Sequence, residues 1–429
     1  MRPFEVAVAL LCVVSGSLSA AAEEFPRAFF SYLEARRGSA SWELGVPREI
    51  GGVKVQAVTL RSQVWKDIPW EHRLFLYLPS EPEVRDTVAL FITGSYELGL
   101  ELYGVQVTKA LGMPLGILFD VPVQPLFGFR EDDLIAYTFH RYLEEGDPEW
   151  PLLFPMARAA VAAMEAIRAL APDFIGEGKV KFVLAGGSKR GWTTYLAAVA
   201  EPGLVAGIIP MVFDVLNIQV QIAHQRRFWG DLSHKLAPYV DRGIWDNSGD
   251  PRLVELLWMV DPYTYRYRLT MPKLIMLGTN DAYWPVTALH LYLEGLPEPK
   301  RVLYIPNAGH FLLESDWAIE GLVSFARAVA LGIGIPEVSS KLDVLPKGLA
   351  LSVAVSAPPT EAELWVAESD KRDFRDVTWI GKPLAQVDPG VFRAEILRPE
   401  GGWIAFVAAF SFRTAAGNLR FTTPVWVYP

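Results

Sequence analysis

An apolar run, FVLA at residues 182–185, ends in Gly186-Gly187-Ser188-Lys189-Arg190-Gly191 and passes at once into the alanine-rich segment WTTYLAAVA. Few folds accommodate this order. A buried strand that reverses directly into a helix crowds its own backbone, so it needs residues without a Cβ around the apex. The apex residue itself is left strained, with its side chain presented outward. Here the apex is Ser188. A serine attacks carbonyls poorly in isolation, but at such an elbow, near a histidine and a helix N-terminus, it becomes a nucleophile. The run departs from the G-x-S-x-G form at one place, because Arg190 stands where the last glycine is expected and Gly191 follows it. A plain strand-to-helix turn without chemistry is the competing reading, and the rest of the chain must decide.

That rest alternates. Residues 87–93 (TVALFIT), 115–121, 205–213, 273–279 (KLIMLGT) and 301–305 read as buried strands, and 53–60 and 74–79 as further strands. Between and around them, helical patterns fall at 25–37, 131–143, 151–170 and 315–331. In the second of these Ile135, Phe139 and Tyr142 recur at helical spacing, and acidic residues occupy the first turn, where the helix dipole favours them. Strand and helix in alternation imply an α/β domain, spanning 23–335, with a mostly parallel sheet covered on both faces. Residues 214–271, with many Trp, Tyr and Arg, are too long for one crossover and read as an inserted helical cap. After Gly332, Gly334 and Pro336 helical spacing stops. Short alternating runs then recur over 345–429, which is the pattern of a β-sandwich of immunoglobulin or fibronectin type. Its stretch 370–376, rich in Arg and Asp, reads as a solvated loop, and packing against the first domain is the expected role of the sandwich.

The ends of the chain and its charge narrow the function. The opening MRPFEVAVALLCVVSGSLSAAAEEFP has an early positive charge at Arg2, an apolar core and small residues over 17–22, so residues 1–22 read as a secretory signal cut near Ala20 or Ala22. No later apolar segment approaches the roughly 20 residues of a membrane span. The single cysteine, Cys12, lies inside that signal, and residues 9–11 do not form a lipoprotein box. An exported protein, periplasmic or extracellular, without disulfides or a thiolate metal site is the expectation. The formal net charge of −9 comes without a long basic cluster, which leaves nucleic-acid binding unsupported and favours a small molecule, a peptide or a sugar ester as partner.

An open α/β sheet places its site at the C-terminal ends of its strands. Ser188 follows one strand, Asp281 a later one in Gly278-Thr279-Asn280-Asp281, and His310 the last in Pro306-Asn307-Ala308-Gly309-His310. The chain order Ser, Asp, His suits a nucleophile, an orienting acid and a general base. Asp214, after the strand that follows the elbow, is the alternative acid, and His224 is the next candidate histidine. His72, His140, His234 and His290 read as structural. The oxyanion donors expected are the backbone N–H of Lys189 and that of Gly94 or Ser95. Lys189 either brings its ammonium near the developing charge or, with Arg190, forms structural ion pairs beside the elbow. No His, Asp and Glu cluster has metal spacing, so neither metal nor cofactor is expected. From the cap, Gln221, His224, Arg226, Trp229 and Trp245 are candidate substrate contacts, with Arg226 or Arg227 reading an acidic substrate.

Several strings, in order, carry a resemblance: EDDLIAYTFHRYLEEGDPEWPLLFPMARAAVAAMEAI, GGSKRGWTTYLAA, IPMVFDVLN with the following HQ and FWG, GTNDAYW and IPNAGH. They resemble the PhoPQ-activated pathogenicity-related proteins, the PqaA-like branch of the α/β-hydrolase superfamily, over nearly all of the chain after the signal. The resemblance implies an exported α/β-hydrolase with Ser188, Asp281 and His310 in the triad positions. A more distant likeness is to glucuronoyl esterases, whose elbow also carries a basic residue after the serine, although Gly187 precedes Ser188 here and the cap strings differ. The resulting expectation is a serine hydrolase of an ester or amide, with esterase, peptidase and glucuronoyl-type esterase left open. A secreted binding or signalling protein on a hydrolase scaffold is the alternative.

Overall fold

The computed structural model describes residues 25–175 and 179–429, so the signal expected at 1–22 lies outside the described residues. The body of the central sheet is formed by β1 (Val53–Trp65), β2 (Ile68–Pro79), β3 (Thr87–Ile92), β4 (Leu115–Leu118), β5 (Lys181–Gly187), β6 (Val205–Met211), β7 (Lys273–Gly278) and β8 (Lys300–Ile305), with the short strands Ser41–Leu44 and Arg48–Ile50 added on the outer side of β1. Their spatial order is β1-β2-β4-β3-β5-β6-β7-β8. The first pair is an antiparallel hairpin whose turn residues Lys66 and Asp67 both take positive φ, as a two-residue hairpin turn matched to strand twist requires. β2 meets β4 antiparallel, and from β4 to β8 every pairing is parallel.

Side-chain alternation along each strand feeds two cores. Phe182 and Leu184 of β5 pack into one with the helices Leu153–Phe174 and Lys189–Ala200. Val183 and Ala185 point to the opposite face, where the helices Leu98–Leu111 and Asp316–Ala330 lie. Both faces being covered, β5 to β8 carry almost no polar positions. Between β6 and β7 the chain is helical, with Ile218–Trp229, Ala237–Val240 and Pro251–Val260 joined by turns. The helix Glu131–Glu145 packs beneath them.

The C-terminal region contains two antiparallel sheets. One has the strands Val338–Leu345, Gly348–Val355, Val391–Leu397 and Gln386–Asp388. The other is not separate from the first domain. Its strand Gly417–Thr422 pairs with β8 at Val302 and Thr422, and the Tyr304 N–H donates to Thr422 Oγ1 at 3.0 Å, so one sheet runs through both regions. The contact pairs one point of what would otherwise be the open edge of the central sheet, with its unpaired backbone groups. Residues 370–376 depart from the solvated loop read in the sequence. Phe374 is buried, as is Trp379 just beyond, and the loop is docked on the turns that follow β7 and β8. Its charged residues are outward-facing or paired, which disguises a loop whose backbone is bound.

Candidate active site

Ser188 sits between β5 and the helix Lys189–Ala200 at φ +56° and ψ −126°, a conformation that costs an L-residue about 1–3 kcal/mol. Two glycines make the bend possible. A Cβ on Gly186 would lie 2.6 Å from the Arg190 carbonyl oxygen, and one on Gly191 would lie 2.9 Å from Phe213 Cβ. The second close approach gives Gly191 its reason: there the elbow helix presses on the end of β6, with Met211 O 3.1 Å from the same Cβ. The Ser188 N–H donates to Met211 O at 2.8 Å, and its carbonyl accepts from the Trp192 N–H, which starts the helix.

The turns after β7 and β8 meet each other. A Cβ on Gly278 would stand 2.4 Å from the carbonyl oxygens of both Ala308 and Gly309, so only glycine lets the two loops close. Across that contact His310 Nδ1 lies 2.8 Å from Asp281 Oδ2. A carboxylate there requires Nδ1 to carry the proton, which leaves Nε2 as the basic nitrogen. Asp281 Oδ1 accepts from the Tyr283 N–H at 2.8 Å, and the Tyr283 ring stacks on the imidazole with centroids 4.2 Å apart. The Tyr283 hydroxyl in turn donates to Asp132 Oδ2. The alternative acid, Asp214, is in the core instead. Burial, reinforced by the nearby charge of Asp281, pushes its carboxyl up to about 8, and its Oδ1 has no hydrogen-bond partner.

Both basic residues after Ser188 turn away into an ion cluster. Arg190 makes two hydrogen bonds of 2.7 Å to Glu131 and donates Nε to Val121 O, while Lys189 Nζ lies 2.8 Å from Glu131 and 3.3 Å from Asp132. Burial alone would raise the Glu131 carboxyl, but the hydrogen bonds and charge of Arg190, followed by those of Lys189, hold it well below the ordinary glutamate range. Glu131→Gln leaves two largely buried cations without their shared counter-charge. A loss of about 1–2 kcal/mol is expected at neutral pH, the solvent-facing side of Glu131 limiting it. The wild-type advantage is present above the ordinary pKa of 4.5 and is lost as pH falls through the depressed folded value, so urea titrations at pH 7 and pH 3 should show the gap narrow.

Ser188 and His310 border the same two spaces. One is a narrow cavity of about 60 Å³ walled by Phe139, Trp192, Phe213, Tyr239 and Trp245. The other is an open cleft of about 300 Å³ that includes Gly94, Arg190, Phe311 and Glu314. Gly94 is therefore at the candidate site, and a Cβ there would lie 2.7 Å from Nη2 of Arg190, whose guanidinium is held by Glu131 and Val121 O. Ser95 accepts from Gln124 Nε2 and is not among the residues lining either space.

Of the cap residues singled out by sequence, only Trp245 lines the narrow cavity. Gln221 is fully buried and donates to the carbonyls of Leu216 and Ala288, so it fastens the cap instead of reaching a substrate. His224 bonds Thr287 Oγ1, and burial, with the charges of Arg372 and Arg227, pushes its pKa down to about 4. Trp229 lies under the Arg375 guanidinium, 4.2 Å from ring centroid to Cζ. Arg226 lines a separate surface cleft with Asp231 and His234. Helical spacing alone cannot tell which face of a cap helix meets the body. Sequence reading placed Glu131 and Asp132 only in the first turn of a helix and gave Tyr283 no role, since nothing in their spacing ties them to the elbow or the histidine.

Among the described residues no group of three or more His, Cys, Asp or Glu is arranged to hold a metal ion, and no helix is long and apolar enough to cross a membrane. A family model described as PhoPQ-activated pathogenicity-related protein matches residues 29–375. The autocrine proliferation repressor protein A of Dictyostelium discoideum is 28% identical over 460 residues, spanning 96% of this chain and 92% of that protein. Among solved structures, an acetyl xylan esterase from Paenibacillus sp. R4 is similar with a TM-score of 0.51 and 14% identity, covering 70% of this chain and 92% of its own. Acetyl xylan esterase 1 from Thermoanaerobacterium sp. JW/SL YS485 has a TM-score of 0.50 and 14% identity, covering 73% and 96%. These likenesses establish the α/β-hydrolase fold.

Proposed function

The chain belongs to the PhoPQ-activated pathogenicity-related protein family, and from that premise we propose that it is an exported serine hydrolase that cleaves an ester or amide through an acyl-enzyme on Ser188. The observation that carries the proposal is the strained apex serine bordering the same cavities as a histidine whose Nδ1 is committed to a carboxylate. His310 Nε2 takes the Ser188 proton as Oγ attacks the carbonyl carbon, and Asp281 stabilises the imidazolium that forms. The backbone N–H groups of Lys189 and Gly94 receive the oxyanion. His310 then returns the proton to the leaving group, and water, activated by the same nitrogen, releases the acid and regenerates Ser188. The narrow aromatic cavity suits a small or flat apolar group, and the open cleft leaves room for a larger one. The apolar opening of the sequence, with its small residues before Glu23, supports export.

The relative named for autocrine repression favours a second reading, a secreted signalling protein on a hydrolase scaffold. The pairing of His310 with Asp281 at cavities shared with a strained serine argues against it, since a scaffold without chemistry has no use for that combination. A fluorophosphonate probe separates the two. Folded wild type should be labelled and Ser188→Ala should not; an unlabelled wild type would favour signalling.

A further inference from the structure

We propose that the C-terminal region positions the active site: its loop 370–379 holds the acid and histidine turns in register through Asn280 and Asn307, which act as positioning residues for Asp281 and His310. The proposal rests on the reading of Asp281 and His310 as the proton-transfer pair of Ser188.

The two turns leave the sheet from different strands, so no residues neighbouring in sequence fix one against the other to the fraction of an ångström that a working hydrogen bond needs. Part of the joint is direct. The Asn280 N–H donates to Ala308 O at 2.9 Å, and the Asn307 N–H donates to Thr279 Oγ1, also at 2.9 Å. The remainder passes through the C-terminal loop. Asn280, next to Asp281, donates Nδ2 to the carbonyls of Arg375 and Val377 at 3.1 and 2.7 Å, while its Oδ1 accepts from Thr279. Asn307, three residues before His310, donates to Trp379 O at 3.0 Å and accepts from the Trp379 N–H at 2.7 Å. Both side-chain amides are thereby committed to holding backbone.

The loop can act as a brace because it is itself anchored. Phe374 and Trp379 are each only 2% exposed. The Arg375 guanidinium packs over Trp229, and Arg372 over Phe228 at 4.4 Å, which ties the loop to the C-terminal end of the first cap helix. From the other side the cap grips the same acid turn, through Gln225 Nε2 to Tyr283 O and Ser233 Oγ to Ala282 O at 2.6 Å. Asp281 therefore lies on a segment clamped between the cap and the C-terminal loop.

The test uses the full chain with Asn280→Ala, Asn307→Gly and the double variant; glycine at 307 keeps the positive φ of +61° available. Turnover of a p-nitrophenyl ester is measured per site titrated by fluorophosphonate, with folding checked by circular dichroism. Each single change should lower kcat about 10- to 100-fold with KM within about twofold, the signature of a displaced proton-transfer pair. Loss of stability with kcat per titrated site unchanged in the double variant would overturn the proposal, leaving the asparagines merely structural. The downfield proton resonance of the His310–Asp281 hydrogen bond is read on the same proteins without substrate. Its shift or broadening in the double variant supports positioning even if wild type proves inactive, in which case the hydrolase reading fails and the positioning inference does not. An unchanged resonance counts against positioning.

Discussion

Ser188→Ala is expected to lower turnover of an ester substrate by about 10⁶-fold, the scale on which loss of a serine nucleophile abolishes the covalent route and leaves only binding and oxyanion stabilisation. The substitution should not unfold the protein, because Ala and Ser suffer alike at φ +56°. Ser188→Gly is the more informative partner. Glycine adopts this backbone without the clash that costs about 1–3 kcal/mol, and it gives back about 0.5–1 kcal/mol in unfolded-chain entropy. A net gain of about 1 kcal/mol is expected in urea unfolding, together with the same loss of activity. A Ser188→Gly protein less stable than wild type would show that the elbow stores no strain, and residual turnover within tenfold in Ser188→Ala would remove the serine from the mechanism.

Asp281→Asn and Asp214→Asn should separate by orders of magnitude. An amide at position 281 offers His310 the wrong hydrogen-bonding partner for the required tautomer, and a fall of about 10⁴-fold in kcat is expected. Asp214 makes no bond to the imidazole and carries its proton at neutral pH, so asparagine is a close isostere there and activity should stay within a few-fold. Stability supplies a second readout with a definite sign. A carboxyl whose folded pKa is raised favours folding most below its unfolded value of 3.8, and that contribution is lost as pH climbs to about 8. The amide introduced by Asp214→Asn does not ionise, so the variant should gain on wild type progressively from about pH 4 to about pH 8 and then run parallel to it. Equal activity losses at the two aspartates would reject Asp281 as the orienting acid.

Much of the fold is legible because its demands are local. The run Gly186-Gly187-Ser188-Lys189-Arg190-Gly191 requires a strand-to-helix elbow, and continuous apolar runs such as LIMLG in β7 require a strand covered on both faces. Those properties, with the order of the elements and the family strings, determine an α/β-hydrolase and name Ser188, Asp281, Asp214 and His310 as candidates. They do not distinguish the two aspartates. Both follow a strand, and only the way β7 and β8 bring their turns together, with Gly278 pressed against Ala308 and Gly309, puts His310 on Asp281.

The sequence by itself therefore determined the sheet, the elbow and the family, since each depends on residues that are neighbours along the chain. Tertiary structure alone decided that Glu131 neutralises Lys189 and Arg190, that Gln221 and His224 serve the cap's own packing, and that residues 370–379 clasp Asn280 and Asn307. In each case a polar group found a partner on an element distant in sequence. Which distant element arrives is set by the joining of sheet edges and the docking of loops, and no spacing of residue types encodes that.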